Sequence, residues 1–163
     1  MKVITMMWDK LAQIQRVILF ITSLLLAFSF GAEVILRYFL KEDLMGYEEI
    51  VVLIAFWMYL IGGAYGSYQR SHIRVDILEH LLKGKKLIVY NFLNNTVSAI
   101  LVLVLAYYSI VFIPNSIQMG ARSTVYQFPL FIGHLSLAVG FVLMAFYTVV
   151  YYVQDFYKYI RKD

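Results

Sequence analysis

The chain has 163 residues, a formal net charge of +4 and no cysteine, and 62% of its residues are hydrophobic while 15% are charged. Soluble domains are roughly 45–50% apolar and about 25% charged, so this composition excludes a soluble globular domain, whose core could not hide the surplus. The absence of cysteine excludes disulfides and thiol chemistry. The basic residues lie outside the apolar runs, so membrane topology, rather than nucleic-acid binding, accounts for the net positive charge.

The first apolar run covers residues 17–36, and about 20 helical residues are enough to cross the hydrocarbon core of a membrane. The run is longer than the ~7–15 apolar residues of a signal peptide, so it predicts an uncleaved signal anchor. Near its far end, Glu33 and Arg37 have the four-residue spacing of a helical ion pair. Two interpretations stay open: the pair neutralises a helix end, or Arg37 reaches outward to a partner.

The second apolar run covers residues 50–68 and directly follows Glu48 and Glu49. Acidic side chains at a helix N-terminus complement the partial positive charge there, so these two either cap the helix or face a basic partner surface. Gly62 and Gly66 lie four residues apart and predict a close helix contact, within this chain or with another subunit.

A shorter amphipathic stretch, residues 72–82, separates the second run from the third. It is too short and too charged to span a membrane, yet its apolar residues fall on one helical face. This pattern predicts a helix that lies in the membrane interface.

The third and fourth runs cover residues 90–113 and 128–153. Pro114 follows the third run and Pro129 opens the fourth, positions where proline marks helix ends without breaking a helix. The sequence therefore predicts an all-α integral membrane four-helix bundle, in one membrane domain over residues 1–163, with the interfacial helix between spans two and three.

The basic residues predict the orientation of this bundle. Eleven of the 14 Lys and Arg lie before the first run, between the second and third, or after the fourth. The other three, Arg37, Lys41 and Arg122, lie on the opposite side. Because cytoplasmic loops carry an excess of Lys and Arg, both termini are predicted to be cytoplasmic.

The sequence holds no nucleophile–base–acid arrangement, no phosphate-binding glycine loop and no metal-ligand spacing, which predicts no enzymatic activity, cofactor or metal. A haem or quinone anchor subunit of a redox complex is one alternative, with His134 as the histidine that a span can hold. A small homo-oligomeric exporter is another, but Glu33 lies near a span end and the middles of spans two to four hold no charge. These absences favour an auxiliary subunit of a larger assembly.

Several short motifs follow one another along the chain: Glu33 with Arg37-Tyr38-Phe39, Tyr47-Glu48-Glu49, Trp57, Gly62-Gly63-Ala64 and His72-Ile73-Arg74-Val75-Asp76. In their order and spacing the chain resembles a known family, the DctQ-like small membrane subunit of tripartite ATP-independent periplasmic (TRAP) transporters. The resemblance covers essentially the whole chain in length and span number.

The resemblance implies a scaffold subunit of a sodium-driven importer of organic acids, such as dicarboxylates or sialic acid, in the bacterial inner membrane. Its partners would be a large membrane subunit, which carries the substrate, a transient periplasmic binding protein, and membrane lipid. No substrate site is expected on this chain. The residues predicted to contact a partner are Arg37, Glu48, Glu49, Trp57, Gly62, Gly66, His72, Arg74 and Asp76.

Overall fold

A computed structural model of the protein describes residues 2–41, 45–70 and 85–160. These residues form four long helices, and each is long and apolar enough to cross a membrane. The predicted all-α four-helix membrane bundle is thereby confirmed, while the predicted interfacial helix over residues 72–82 lies outside the described residues. The helices are α1 (Lys2–Ile35), α2 (Tyr47–Tyr68), α3 (Lys85–Met119) and α4 (Phe131–Ile160).

The bundle has two ends. The terminal end holds the start of α1, the end of α2, the start of α3 and the end of α4. The loop end holds the end of α1, the start of α2 and the residues 120–130 that join α3 to α4, here named the 120–130 loop. The four charged residues Glu33, Arg37, Glu48 and Glu49 all lie at the loop end.

The first helix changes its winding where it reaches the loop end. Leu36–Leu40 form a π-helical turn, and Lys41 then adopts a left-handed conformation with φ 54° and donates its backbone N–H to the Leu36 carbonyl. Such wider turns are rare and short. This one leaves Tyr38 and Phe39 exposed at the edge of the bundle.

Pro114 lies inside α3, so the expectation that it marks the end of the third helix is wrong. Proline lacks the N–H that would bond to the Ile110 carbonyl, and in water this loss usually ends a helix. Membrane helices tolerate proline because neighbouring helices, Ser and Thr side chains, water and small local changes in winding satisfy the backbone groups that it frees. The helix instead ends at Gly120, whose φ of 58° and N–H bond to the Ile117 carbonyl (3.1 Å) terminate it.

The helices do not pack in chain order. α1 packs on α2, α2 on α4, and α4 on α3, so the order across the bundle is α1, α2, α4, α3. In α1 and α3 about 6% of the most apolar stretch is buried, against 17% in α2 and 28% in α4. α2 and α4 are therefore the central helices, and α1 and α3 turn large apolar side chains outward.

Small residues form the contact between the two central helices. Ala64, Ser67, Ala138 and Ser136 are buried, as expected where helix backbones approach closely in a membrane. Gly140 marks the closest approach, because a Cβ there would lie 2.7 Å from the Leu60 Cβ and 3.1 Å from its carbonyl oxygen. By contrast, a Cβ at Gly31 on α1 would meet nothing within 4 Å.

Aromatic side chains join α1 to α4 at the terminal end. The Trp8 ring lies edge-on to the rings of Tyr147 and Tyr151, with centroids 4.8 and 5.5 Å away. Tyr147 is fully buried, and its hydroxyl donates to the Gln15 Oε1 at 3.4 Å, while Tyr151 donates to the Tyr68 carbonyl at 2.6 Å. The edge-to-face contacts of Trp8 and the Tyr147–Gln15 bond hold α1 against α4, and the Tyr151–Tyr68 bond joins α4 to α2.

Candidate functional site

The carboxylate of Glu49 binds the 120–130 loop. Its Oε1 accepts the backbone N–H groups of Thr124 (2.6 Å) and Val125 (2.9 Å), and its Oε2 accepts that of Tyr126 (3.1 Å). A carboxylate with three N–H donors is a charge-assisted arrangement, stronger than neutral hydrogen bonds. Glu49 therefore has a role within the chain, as the acceptor that holds the loop, in addition to the two roles that the sequence left open.

The 120–130 loop is itself held in a narrow hairpin. The Ser123 N–H donates to the Phe128 carbonyl at 2.9 Å, and the Leu130 N–H donates to the Ala121 carbonyl at 3.0 Å. The buried Ser123 hydroxyl also accepts the Phe128 N–H at 3.3 Å. These bonds turn consecutive N–H groups at the tip of the loop toward Glu49.

Gly46 makes room for this loop at the start of α2. Its φ is 84°, a conformation that glycine adopts without steric cost. A Cβ at this position would lie 2.7 Å from the Tyr126 ring and 2.8 Å from the Val125 Cβ. The loop can therefore approach Glu49 only because residue 46 has no side chain.

A groove of about 410 Å³ opens between α2, the 120–130 loop and the start of α4. Volumes of roughly 300–1,000 Å³ are typical of small-molecule sites. Its apolar lining consists of Val52, Leu53, Phe56, Phe128, Leu130 and Gly133. Charged residues line it as well, because Glu48 and Arg122 belong to the same groove and are both exposed.

His134 lines the groove from the first turn of α4 and is hydrogen-bonded to α3. Its Nδ1 lies 2.5 Å from the Ser116 hydroxyl, and its ring lies edge-on to Phe112 at 5.0 Å. Ser116 is buried in this contact. His134 thus joins α4 to α3 at the loop end, a role that the sequence did not indicate when it suggested a haem ligand as an alternative.

Glu33 and Arg37 lie beside each other at the end of α1, with 3.7 Å between the Glu33 Oε1 and an Arg37 guanidinium nitrogen. The Arg37 side chain is 61% exposed and the Glu33 side chain 32%. Surface pairs of this kind contribute little to stability. The Arg37 guanidinium is therefore accessible at the loop end, about one helical turn from Glu33.

The other predicted partner residues are spread over the molecule. Trp57, Gly62 and Gly66 are half-buried on α2, and a Cβ at Gly62 would be in ordinary contact, 3.6 Å, with Leu19 of α1. His72, Arg74 and Asp76 lie outside the described residues. The structure thus brings Glu48 and Glu49 close to Arg122 and His134, but it leaves Trp57 and the glycines in the middle and at the terminal end of α2.

The amino-acid types do not indicate the interaction between Glu49 and the 120–130 loop, and Glu48 and Glu49 are equivalent in the sequence. The structure separates them, with Glu49 bound to the loop and Glu48 exposed in the groove.

In the described part of the chain, no three His, Asp or Glu side chains come together as a metal site would require.

Four helices that are long and apolar enough to cross a membrane define a multi-pass membrane protein. Residues 26–158 match the DctQ component of the tripartite ATP-independent periplasmic transporters, and the chain belongs to this family. It is a small membrane subunit of a TRAP transporter, as the sequence motifs predicted. No curated protein matches the chain.

Proposed function

We propose that this chain is the non-catalytic scaffold subunit of a sodium-driven, binding-protein-dependent importer of organic acids, of the dicarboxylate or sialic acid type. Family membership supports the assignment to a TRAP transporter over a redox anchor or an independent exporter. One observation above all supports the scaffold role: residues 17–32, 50–68, 92–119 and 131–154 contain no Asp, Glu, Lys or Arg. A transport pathway through a membrane normally holds ionisable residues at depth.

The bundle is proposed to lie in the bacterial inner membrane with its terminal end in the cytoplasm. The support is the distribution of charge, because 11 of the 14 Lys and Arg belong to the terminal end and its connections. The loop end, with Glu33, Arg37, Glu48 and the 120–130 loop, would then face the periplasm. That is the side from which a periplasmic binding protein arrives.

The two edge helices are the proposed contact with the large membrane subunit. α1 and α3 are mostly unburied within this chain and present long rows of apolar side chains, among them Phe20, Phe28, Leu101 and Tyr108. α1 also has an open small-residue position at Gly31. Small residues allow another helix to approach closely in a membrane.

Glu48 and Glu49, or Arg37, are the proposed contacts with the large subunit or the incoming binding protein. The side chains of Arg37 and Glu48 are exposed at the loop end, and the carboxylate of Glu49 also binds the loop. His72, Arg74 and Asp76, together with Trp57, Gly62 and Gly66, stay candidates for contact with the large subunit.

Co-purification and reconstitution test this function. An affinity-tagged chain is expected to bring down a much larger multi-pass membrane protein. Proteoliposomes that hold both proteins should take up an organic acid when binding protein and a sodium gradient are supplied. Uptake by this chain alone would contradict the scaffold role, and uptake without a sodium gradient would contradict the proposed driving force.

A charge swap tests the role of Arg37. Arg37→Glu should lower uptake without loss of membrane insertion, but it also places two acids side by side. The double variant Glu33→Arg/Arg37→Glu restores an i,i+4 ion pair with reversed polarity. If Arg37 contacts a partner, the double variant stays impaired; if uptake recovers, the pair only stabilises the helix end. Lys10→Glu at the terminal end is the matched control.

A further inference from the structure

We propose that the groove at the loop end is a phospholipid site, which takes an acyl chain between its apolar walls and an amine-containing, zwitterionic headgroup at its mouth. The site would bind a membrane lipid as a structural ligand of the bundle. This inference does not depend on the substrate, but it uses the same exposed Glu48 as the proposed contact with a partner protein, so one carboxylate would serve only one of the two at a time.

The walls of the groove match an acyl chain. On α2 the lining runs from Glu48 at the helix start to Phe56, eight residues further along, which is about 12 Å at 1.5 Å per residue. Val52 and Leu53 line it on the way, and Phe128 and Leu130 form the opposite wall. The groove therefore leads from the polar end of the span into the depth of the hydrocarbon layer.

The mouth of the groove carries two opposite charges that do not neutralise each other. Glu48 and Arg122 both line the mouth and both are exposed. They do not form an ion pair with each other: among residues 2–41, 45–70 and 85–160, the charged groups within 4.0 Å of each other are those of Glu33 and Arg37. Arginine binds phosphate through two parallel N–H bonds, and a carboxylate binds an ammonium group. A headgroup with a phosphate and a primary amine supplies both partners at once.

The wall that carries Arg122 is rigid before any ligand binds. The backbone of Arg122 pairs with Pro129 across the hairpin, and Glu49 fixes the tip of the same loop on α2. A preorganised site binds more tightly because less conformational freedom is lost on binding. Gly133 lies opposite Leu53 in the groove, and a Cβ there would be in ordinary contact with the Leu53 side chain, at 3.7 Å.

Photo-cross-linking in native membranes identifies the occupant. A photoreactive amino acid at position 52, in the groove, should yield an adduct with the mass of one phospholipid when the full chain is co-expressed with its partner subunits. The control position is Val104, which is exposed on α3 outside the groove. An adduct with another protein chain at position 52, or equal lipid adducts at both positions, would overturn the proposal.

Lipid retention in native mass spectrometry tests the chemistry. The purified full chain should retain phosphatidylethanolamine in preference to phosphatidylglycerol. Val52→Trp, which fills the groove, should lower retention about tenfold, the effect of about 1.4 kcal/mol, while Val104→Trp should not.

The charged residues separate the headgroup contacts. Glu48→Gln should abolish the preference for the amine headgroup, with Glu33→Gln as control at the same end of the bundle. Arg122→Gln should lower retention of both lipids, with Lys41→Gln as control. Wild-type retention without headgroup preference, or unchanged retention in Val52→Trp, would show nonspecific boundary lipid and overturn the proposal.

Discussion

The Glu49 carboxylate accepts the backbone N–H of Val125 at 2.9 Å, although 76 positions separate the two residues in the chain. Through this bond and its two neighbours, the start of α2 holds the connection between α3 and α4. The same carboxylate lines the groove that the loop encloses. One side chain therefore both holds the tip of the loop on α2 and lines the groove beside it.

Removal of the Glu49 carboxylate should release the 120–130 loop. In Glu49→Ala the three N–H groups lose their acceptor, so the loop should open more often. Trypsin should then cleave after Arg122 on the order of tenfold faster. A tenfold change corresponds to about 1.4 kcal/mol, which is within the range for the loss of hydrogen bonds to a charged group. Glu49→Gln, which keeps one acceptor oxygen, should fall between. Glu48→Ala is the matched control, and an equal acceleration there would contradict the role assigned to Glu49.

Gly46→Ala should destabilise the protein for two separate reasons. The positive φ of 84° costs an L-residue about 1–3 kcal/mol, and the new Cβ would overlap Tyr126 and Val125. Gly120→Ala isolates the first reason, because φ is 58° there but a Cβ meets nothing within 4 Å. Thermal unfolding in detergent measures both, and Gly46→Ala should have the lower midpoint. Equal midpoints would mean that the loop does not press on residue 46.

Gly140→Ala should weaken the contact between α2 and α4. Its Cβ would lie 2.7 Å from the Leu60 Cβ and 3.1 Å from a backbone oxygen that cannot move aside easily. Overpacking of this kind costs about 1–3 kcal/mol. Gly62→Ala, whose Cβ would lie 3.6 Å from a flexible Leu19 side chain, should be close to neutral. Unfolding in a graded denaturing detergent compares the two, and a larger loss for Gly62→Ala would contradict this packing.

Tyr147 and Gln15 form a buried polar contact that is only partly satisfied. The bond is long, 3.4 Å, and the Gln15 Nε2 is buried without a hydrogen-bond partner in the described part of the chain. Hydrogen bonds between membrane helices average about 0.6 kcal/mol, so Tyr147→Phe should cost about that much. Gln15→Leu with Tyr147→Phe removes both polar groups and should be at least as stable as wild type. A double-mutant cycle measures the coupling, and a double variant less stable than either single one would contradict this view.

Hydropathy was enough to predict the four helices, because lipid contact requires long apolar runs whatever the packing. It could not predict where α3 ends, since the apolar surroundings let the helix continue through Pro114. It also could not order the helices. The contact of α2 with α4 depends on Gly140 meeting Leu60, and similar small-residue patterns on α1 face outward.

The site was predicted only in part. Motif order placed Glu33, Arg37, Glu48 and Glu49 together at one end of the bundle, and the structure does so. The different roles of Glu48 and Glu49 depend on a loop 75 to 77 residues away, whose backbone N–H groups carry no signature in the amino-acid types. Arg122 and His134 approach these acids only because α4 packs beside α2.

The packing order α1, α2, α4, α3 also has a consequence for how the protein is made. Synthesis delivers α3 to the membrane before α4, the helix that lies between α3 and the rest of the bundle. At that moment α3 lacks α4, the helix on which it packs in the described part of the chain, and must be stable in lipid largely by itself. Its mean hydropathy of 2.4 over the most apolar stretch is the highest of the four helices. A helix this apolar is stable in lipid before α4 is inserted. Arrival of α4 then joins the two halves of the protein in one step.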